Sequence, residues 1–575
     1  MNLDQPTLLT VRDLTVRFSG STVVEDVSFQ LNIGECLGLV GASGSGKSVT
    51  SLALMRLLDT GSAEVRGSVL LEGKELQELT EAEFRAHRGH DLAMVFQEPM
   101  TALDPVYSVG DQVASALRHH IGLSSRQARQ RVVELFDEVK LPSPGGLYDR
   151  YPHQLSGGQK QRVVIALALS CSPKVLICDE PTTALDVLVQ REIIDLLVRI
   201  QKERGMAMIF ITHDLGVVRE VAHRALVMHK GRVVESAPVT ELFQRPQHPY
   251  TCGLIACRPD PLKHPKRLPT IEEAMRATEH ADARPPVMTI SREDRRTHVE
   301  GLMQQQPLLR VEGLGKNYPG GKGKFKRDTG IVRVLQDIGF ELYPGEKLGI
   351  VGGSGSGKTT LGRSILRLIE PSAGHVRYTT RDQREVDLTT LSAGKMRHMR
   401  RELQIIFQDP YASLNPRITI GRAIMEGMEV HAMGRDRQER KKMIIALLER
   451  VGLEAAHFDR FPHQFSGGQR QRIVIARALA LRPRLVICDE SVAALDVSVQ
   501  AQVLNLLNEL KEEHGLTYIF ISHDLAVVKY FCDRILVLEK GRNVELDMAD
   551  VVYEDPRAEY TKKLLQAIPG KRIRA

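Results

Sequence analysis

The chain carries one ordered set of short motifs twice, about 310 residues apart. The glycine-rich segment GASGSGKS, which ends at Ser48, recurs 311 residues later as GGSGSGKT, which ends at Thr359. Three more motifs recur at an offset of 310 residues: LSGGQ as FSGGQ, CDE unchanged, and ITHD as ISHD. The repeats of solenoids and propellers are only about 20–50 residues long. The sequence therefore predicts a duplicated domain of one fold.

Bulk properties agree with a chain of several globular domains. At 575 residues the chain is too long for one hydrophobic core, and its 42% hydrophobic and 26% charged residues are ordinary for globular proteins. No apolar run approaches the roughly 18 residues that a membrane-spanning helix needs. The first residues have neither a basic region nor an apolar core, so they do not form a secretory signal. We expect the chain to stay in the cytoplasm.

Charge and cysteine content point to no special partner. The net charge of +7 comes from 78 basic and 71 acidic residues, which favours a mixed solvated surface over a nucleic-acid-binding face. The densest basic stretch, 321–327, is interpreted as an exposed loop or hairpin. Of seven cysteines, Cys178 and Cys488 each end an apolar run and are predicted to be buried, as suits a reducing compartment. Cys252 and Cys257 have no further cysteines nearby, so we expect no metal centre there.

Periodicity predicts parallel α/β domains with a helical insertion. The apolar run 36–40 leads directly into the first glycine loop, and the run 348–351 into the second. Further buried strands are predicted at 207–211 and 518–521. Between the glycine loop and the SGGQ motif, apolar residues recur at helical spacing in both copies, which predicts a small helical subdomain. These residues are Val132, Leu135, Phe136 and Val139, and Ile444, Leu447, Leu448 and Val451.

The predicted domain boundaries follow the motifs and the prolines. The first copy is placed at 1–245 and the second at 307–546, with a short tail at 547–575. The stretch 246–306 is rich in proline and weakly periodic, and is interpreted as an extension followed by a linker. The second copy is 11 residues longer between its first aromatic, Tyr318, and its glycine loop than the first copy is after Phe18.

The glycine loops have the pattern of phosphate-binding loops, GxxxxGK[ST]. Glycines allow consecutive backbone N–H groups to point at phosphate oxygens, and the following helix contributes its positive end. Lys47 and Lys358 are predicted to reach the β- and γ-phosphates, and Ser48 and Thr359 to place a hydroxyl on Mg²⁺. The predicted nucleotide-binding positions of the two loops are Gly41, Ser43, Gly44, Gly46, Lys47 and Ser48, and Gly352, Ser354, Gly355, Gly357, Lys358 and Thr359.

Paired carboxylates end an apolar run in each copy. Asp179 and Asp489 are predicted to hold Mg²⁺ directly or through water. The next residues, Glu180 and Glu490, are placed to orient or deprotonate an attacking water. Their repetition after a buried run argues against surface carboxylates without a role.

Together with the LSGGQ motif, Ala184-Leu-Asp186 and His213, these motifs resemble the ATP-binding cassette (ABC) family. The resemblance covers both copies and implies two tandem P-loop NTPase domains. Each would have a RecA-like parallel-sheet core, an antiparallel β subdomain and a helical subdomain. The LSGGQ motif is the specific part, since a glycine loop with a following carboxylate would fit any P-loop NTPase.

The resemblance also assigns roles to further residues. It implies a head-to-tail sandwich in which the SGG segment of one copy caps ATP bound by the other, with Ser156, Gly157 and Gly158 opposite Lys358, and Ser466, Gly467 and Gly468 opposite Lys47. Gln97 and Gln408 match a glutamine that senses Mg²⁺, and His213 and His523 match a histidine that contacts the γ-phosphate. Phe18 and Tyr318 occupy the place of an aromatic that stacks on adenine, although packing in the core is an alternative for both.

Both glutamates and both signatures are present, so two competent sites are predicted. The second copy departs from the usual motif sequences, with Ser491 and Val492 after Glu490 and with Phe465 at the position of Leu155 in the first copy. None of these changes removes a predicted phosphate, metal or water ligand. They bear on the rate of the second site.

A narrower resemblance comes from His248-Pro-Tyr-Thr251, which is similar to the extension of oligopeptide and dipeptide importers. That subfamily also includes nickel and some oligosaccharide importers. The residues that follow Gln97 and Gln408 also agree with this subfamily, and the tail of the second copy keeps part of the extension at 555–561. The alternative for the extension is a packing tail without further meaning.

The resemblance implies a fused ATPase of a bacterial peptide importer. It would need ATP and Mg²⁺, and would lie peripherally on the cytoplasmic face of the inner membrane. Its partners would be two transmembrane permease subunits and a substrate-binding protein, with no nucleic acid. A double-cassette ATPase acting on ribosomes is the alternative from another class, although the proline-broken linker disfavours it. An importer of nickel or oligosaccharides also remains open.

Overall fold

The computed structural model describes residues 6–59, 61–183, 185–260, 263–279, 288–319, 330–492 and 495–570. The chain divides into two compact units. The first comprises the described parts of Met1–Ala256, Ile271–Arg284 and Pro569–Ala575, and the second those of Cys257–Thr270 and Pro285–Ile568. The predicted basic stretch 321–327 and Ala184 lie outside the described residues.

The first unit contains two sheets and a set of helices. Its strands are β1 Thr7–Phe18, β2 Ser21–Asn32, β3 Cys36–Val40, β4 Ala63–Leu71, β5 Lys74–Glu75, β6 Leu92–Val95, β7 Val175–Asp179, β8 Ala207–Ile211, β9 Arg224–His229 and β10 Arg232–Pro238. Its helices up to the extension are α1 Lys47–Leu54, α2 Glu81–His87, α3 Pro99–Ala102, α4 Val109–Ile121, α5 Ser125–Glu138, α6 Pro144–Leu147, α7 Gly157–Leu169, α8 Val187–Arg204, α9 Leu215–Val221 and α10 Val239–Gln244.

A six-stranded sheet in the order β10-β9-β3-β8-β7-β6 forms the core of the first unit. All neighbours in it pair in parallel except β9 and β10, which form an antiparallel hairpin. Strands β3, β7 and β8 are buried at every position, as expected for a parallel sheet covered on both faces. The second, antiparallel sheet has the order β2-β1-β4-β5. The glycine loop after β3 and the carboxylates after β7 therefore meet at one edge of the parallel sheet.

Three helices follow in the stretch interpreted as extension and linker: α11 Pro249–Ala256, α12 Ile271–Glu279 and α13 Arg292–Met303. The weak periodicity did not reveal them. Helices α11 and α12 pack closely, and a Cβ on Gly253 would lie 3.1 Å from the carbonyl oxygen of Ile271. Residues 257–270 and 288–303 belong to the second unit, where the amide of Asn505 exchanges hydrogen bonds with the backbone N–H and C=O of Leu268. The linker is thus largely folded structure.

The second unit repeats the architecture of the first. Its strands are β11 Leu309–Pro319, β12 Ile331–Leu342, β13 Lys347–Val351, β14 Ala373–Thr379, β15 Glu385–Asp387, β16 Leu403–Ile406, β17 Leu485–Asp489, β18 Thr517–Ile521, β19 Arg534–Glu539 and β20 Arg542–Met548. Its further helices are α14 Lys358–Ile365, α15 Ala393–Met399, α16 Pro410–Ser413, α17 Ile420–Val430, α18 Arg437–Arg450, α19 Gly467–Leu479, α20 Val497–His514, α21 Leu525–Phe531, α22 Ala549–Glu554 and α23 Glu559–Gln566.

Its sheets have the same strand orders, β16-β17-β18-β13-β19-β20 and β12-β11-β14-β15. The prediction of parallel-sheet cores with antiparallel and helical subdomains is confirmed in both units. The predicted apolar runs 207–211 and 518–521 are buried strands, and Cys178 and Cys488 are buried within β7 and β17. Within the described parts of the chain, no helix combines the length and apolarity needed to cross a membrane.

Candidate nucleotide-binding and catalytic sites

The first glycine loop joins the end of β3 to the start of α1. Gly44 and Gly46 have φ of 75° and 100°, and Gly41 has φ of 156°. A Cβ on Gly41 would lie 2.3 Å from the carbonyl oxygen of Met228, so no other residue fits there without a shift. The loop turns inward onto its own lysine. The Nζ of Lys47 donates to the carbonyl oxygens of Gly41 and Ala42 at 2.9 and 3.0 Å.

The second glycine loop has the same conformation between β13 and α14. Gly352, Gly355 and Gly357 have φ of 156°, 74° and 100°. The Nζ of Lys358 donates to the carbonyl oxygens of Gly352 and Gly353 at 2.8 and 3.0 Å. Ser43, Gly44, Ser354 and Gly355 are exposed at the tips of the two loops. Each loop therefore presents a lysine and backbone N–H groups at the start of a helix, which suits a polyphosphate.

A hydroxyl and a carboxylate meet beside each loop. The Oγ of Ser48 lies 3.2 Å from Oδ1 of Asp179, and the Oγ1 of Thr359 lies 3.1 Å from Oδ1 of Asp489. Burial raises the pKa of Asp179 to about 6, although the hydrogen bond from Ser48 opposes this shift. Burial also raises the pKa of Asp489 against the effect of Thr359. A nearby cation would offset this burial cost.

Glu180 lies directly after β7 and has a left-handed backbone conformation, with φ of 46°. Three side chains contact its carboxylate. Its carboxylate accepts hydrogen bonds from Nε2 of Gln97 at 3.0 Å and from the hydroxyl of Thr183 at 2.8 Å. The Nδ1 of His213 lies 3.2 Å from the same carboxylate. Burial alone would raise the pKa of Glu180, but the hydrogen bond and the charge of His213 outweigh it and bring the pKa to about 2. The carboxylate is therefore negatively charged at neutral pH.

Glu490 has a similar setting, with φ of 48°. It accepts from Nε2 of Gln408 at 2.8 Å, and the Nδ1 of His523 lies 3.5 Å away. Although burial acts in the opposite direction, His523 lowers the pKa of Glu490, and Glu490 in turn raises the pKa of His523. The residue in the place of Thr183 is Ala493, whose side chain carries no hydroxyl. The sequence analysis assigned no role to Thr183. The difference between the two copies at this position, Thr in the first and Ala in the second, is a signal that could have indicated one.

The two glutamines, predicted beside the metal with Ser48 and Thr359, contact the glutamates of the two sites. Their amide nitrogens donate to Glu180 and Glu490. Gln97 and Gln408 thus link the end of β6 or β16 to the glutamate of the neighbouring strand.

The SGGQ segments start helices α7 and α19. Ser156 caps α7, because its hydroxyl accepts from the N–H of Gln159 and the Gln159 side chain accepts from the N–H of Ser156. The same pair of bonds joins Ser466 and Gln469. The caps and the first glycines, Gly157 and Gly467, are exposed. Phe465, which replaces the usual leucine, is buried with its ring edge-on to His457, at 5.1 Å between the centroids.

The two aromatics predicted to stack on adenine have different surroundings. Phe18 is partly buried and packs against the core of the first unit. Tyr318 is 36% exposed, and the Nζ of Lys316 lies 4.9 Å above its ring. The first position thus favours the alternative of core packing, and the second leaves an aromatic face accessible at the surface.

The residues present fit a magnesium nucleotide. Each site combines a lysine and helix N-terminus for phosphates with a hydroxyl and a buried carboxylate, which are the oxygen ligands that Mg²⁺ prefers. The glutamate and histidine stand next to this set. Such an arrangement can bind a nucleoside triphosphate and direct a water at it.

Comparison with known proteins agrees with this chemistry. The family model described as ABC transporter matches residues 24–183 and 335–493, and that described as the C-terminal region of oligopeptide/dipeptide transporters matches 234–283. The chain is 47% identical to the glutathione import ATP-binding protein GsiA of Salmonella typhimurium, with 99% of this chain and 90% of that protein covered.

GsiA of Escherichia coli is 46% identical over the same shares of the two chains. A solved dimeric ATP-binding cassette with ADP and phosphate is 28% identical over 42% of this chain and 98% of its own, with a TM-score of 0.37. The matched models and the two relatives cover both units and their catalytic motifs. The chain belongs to the ABC transporter family, as an ATPase subunit with two cassettes and an oligopeptide/dipeptide-type C-terminal region.

Proposed function

We propose that this chain hydrolyses ATP in both cassettes to power the import of short peptides. The observation that carries the proposal is the oligopeptide/dipeptide-type region at 234–283, which follows a complete catalytic set. The relatives named above import glutathione, which is itself a tripeptide, so glutathione is the first solute to test. The proposed ATPase domains remain 1–245 and 307–546, with 246–306 as extension and connection and 547–575 as tail.

Within each site the residues have separate roles. Lys47 and Lys358 bind phosphate oxygens, and the N–H groups of the glycine loops orient them. Glu180 and Glu490, kept charged by their histidines, accept a proton from water or orient it for attack. His213 and His523 hold these carboxylates and face the terminal phosphate. The exposed SGG segments that begin α7 and α19 contact the nucleotide from the other side, as family resemblance implies.

Mg²⁺ is the cation that fits the hydroxyl and carboxylate pairs. Ser48 and Asp179 in the first cassette, and Thr359 and Asp489 in the second, would hold it, with the amide oxygens of Gln97 and Gln408 nearby. When bound, the cation would neutralise charge on the phosphates. The support for this assignment is the hydroxyl–carboxylate distance of 3.1–3.2 Å in both cassettes.

Membrane-spanning permease subunits are partners that this family requires. We propose two of them, together with a separate substrate-binding protein that captures the solute. The chain would then lie peripherally on the cytoplasmic face of the inner membrane. Solute recognition belongs to those partners in this proposal.

The test is uptake of labelled glutathione and of a labelled tripeptide in cells deleted for this chain. Wild type is expected to restore uptake of at least one of them, and the double variant Glu180→Gln/Glu490→Gln is expected not to. The matched control is Glu203→Gln/Glu512→Gln, which changes two exposed glutamates on α8 and α20 and should rescue like wild type. If wild type reaches the membrane fraction but restores neither solute, the peptide assignment is wrong, and uptake of nickel and oligosaccharides is measured in the same strains.

A further inference from the structure

A tyrosine of each C-terminal extension touches the glycine loop of its own cassette. The backbone N–H of Ala42 donates to the hydroxyl oxygen of Tyr250 at 2.9 Å, across 208 residues of sequence. In the second cassette the N–H of Gly353 donates to the hydroxyl oxygen of Tyr560 at 2.9 Å, across 207 residues. Ala42 and Gly353 occupy the same position in the two loops. The contact is therefore repeated with the same atoms and the same length.

The loop residue that each tyrosine binds is the one that the lysine also binds. In the first cassette Tyr250 accepts from the N–H of Ala42, while Lys47 donates to the carbonyl oxygen of Ala42 at 3.0 Å. In the second, Tyr560 and Lys358 hold the two backbone groups of Gly353 in the same way. A lysine that turns toward a phosphate gives up this carbonyl. The tyrosine bond can remain, so it can keep the loop in place when the lysine changes partner.

A half-buried glutamate holds the backbone just before each tyrosine. The carboxylate of Glu235, on β10, accepts from the N–H groups of Gln247 and His248 at 2.8 and 3.0 Å, just before α11. The carboxylate of Glu545, on β20, accepts from the N–H groups of Arg557 and Ala558 at 2.8 and 3.2 Å, just before α23. These bonds fix the backbone two to three residues before the tyrosine. Burial raises the pKa of both glutamates, but the N–H donors outweigh it and leave each pKa below its ordinary value.

We propose that Tyr250 and Tyr560 are positioning residues for nucleotide binding, through which each C-terminal extension sets the affinity of its own glycine loop for ATP. Neither tyrosine is assigned to contact ATP. Each tyrosine orders the backbone of its glycine loop before nucleotide binds. Without the tyrosine, the loop would lose this conformational freedom on binding, and the affinity would be lower. The extension thereby acts on the ATPase site, in addition to marking the peptide-importer lineage.

The two tyrosines lie in different cassettes and have different surroundings, so a variant of each one tests one cassette by itself. Tyr250 is 1% exposed and its ring centroid lies 4.0 Å from that of His229. Tyr560 is half-buried, and the residue in the place of His229 is Glu539. Phenylalanine keeps the ring packing at both positions and removes only the hydroxyl. The expected effect of Tyr→Phe is therefore on the loop.

The experiment is titration of the full chain with a fluorescent ATP analogue, together with KM and kcat of ATP hydrolysis. Loss of one net hydrogen bond corresponds to about a three- to tenfold weaker affinity. Tyr250→Phe is expected to raise the Kd of one of the two sites by this factor, Tyr560→Phe that of the other, and the double variant both. The rate at saturating ATP should stay within about twofold of wild type, because no group that faces the reacting atoms has changed.

Tyr148→Phe and Tyr518→Phe are the matched controls. Their hydroxyls donate at 3.1 Å to Asp111 and at 3.2 Å to the carbonyl oxygen of Leu507, both within a cassette but away from its glycine loop. They should lower the thermal midpoint without a change of Kd. An unchanged Kd in Tyr250→Phe and Tyr560→Phe, or an equal rise in the controls, would overturn the proposal.

A second variant tests the role of Glu235 in positioning Tyr250 and leaves the tyrosine itself unchanged. Glu235→Gln keeps the shape of the side chain but weakens its bonds to the N–H groups before α11. It should raise the Kd of the same site as Tyr250→Phe, and the effects of the two should be less than additive, because they act through one contact. Full additivity would contradict a shared path, and these binding measurements do not depend on which solute is transported.

Discussion

Gln97 donates a hydrogen bond from its amide nitrogen to the carboxylate of Glu180 at 3.0 Å, and this bond joins the ends of two neighbouring parallel strands. Gln408 and Glu490 repeat it at 2.8 Å. The glutamine stands two residues after its strand, on the segment that leads to the helical subdomain. A displacement of that segment would therefore move a hydrogen-bond donor relative to the carboxylate of Glu180.

We expect Gln97→Ala to lower the ATPase kcat, because Glu180 then loses one of the donors that orient it. A hydrogen bond to a charged group contributes about 1.5–3 kcal/mol, so a fall of about 10- to 100-fold at the affected site is expected. The control is Gln112→Ala, whose amide bonds to backbone groups of Asp104 and Tyr107 and touches neither carboxylate. Equal kcat values for the two variants would argue against an orienting role.

We expect Glu180→Gln and Glu490→Gln each to lower steady-state ATP hydrolysis, because an amide cannot accept the proton of the attacking water. General-base groups contribute about 10²–10⁴-fold, so each variant should lose most of the turnover of its own site. ATP binding should be retained in both. Initial rates of phosphate release measure this, and an unchanged rate in either variant would refute two competent sites.

Gly158→Ala should destabilise the first cassette. A Cβ at Gly158 would lie 2.7 Å from Cγ1 of Val189, a β-branched side chain with little rotamer freedom. Overpacking of this kind costs about 1–3 kcal/mol of unfolding free energy. Gly157→Ala, one residue earlier, would meet its nearest atom at 3.9 Å and is expected to change stability by less than about 0.5 kcal/mol. Urea unfolding of both variants makes the comparison, and equal losses would show that the contact with Val189 is relaxed.

Stability of the second cassette should depend on pH through Glu346. Its side chain is 1% exposed, 3.3 Å from Nη1 of Arg534, and burial raises its pKa from 4.5 to about 7 despite that cation. Between pH 4.5 and about 7, Glu346 is therefore mostly protonated in the folded chain and mostly ionised in the unfolded chain. The contribution to stability is complete below about pH 4.5 and is lost as the pH rises to about 7, by up to about 3 kcal/mol.

Glu346→Gln should remove this part of the pH dependence, since the amide does not ionise. Urea unfolding of wild type and variant at pH 5 and pH 8 measures the difference. The control is Glu35→Gln at the corresponding position of the first cassette, where the carboxylate is 11% exposed and lies 3.1 Å from Arg224. The same slope in wild type and Glu346→Gln would contradict the assignment.

Several elements could be predicted from local patterns. The strand 207–211 agrees residue for residue with β8, because five apolar residues in succession can be buried on both faces of a parallel sheet. The glycine loops also follow from sequence, since only glycine adopts their φ values without strain. Helices α12 and α13 were missed, because their segments are short, charged and separated by prolines.

The sequence by itself determined the duplication, the order of motifs and the chemistry of each loop, because these depend on residues close together in the chain. Tertiary structure decided which distant groups meet. It placed Gln97 on Glu180, 83 residues away, and Tyr250 on Ala42, 208 residues away. Such contacts depend on the strand order of the sheet and on where an extension returns to it. Neither is encoded in the spacing of a motif, so a pattern that predicted the lineage of the extension left its contact with the glycine loop unseen.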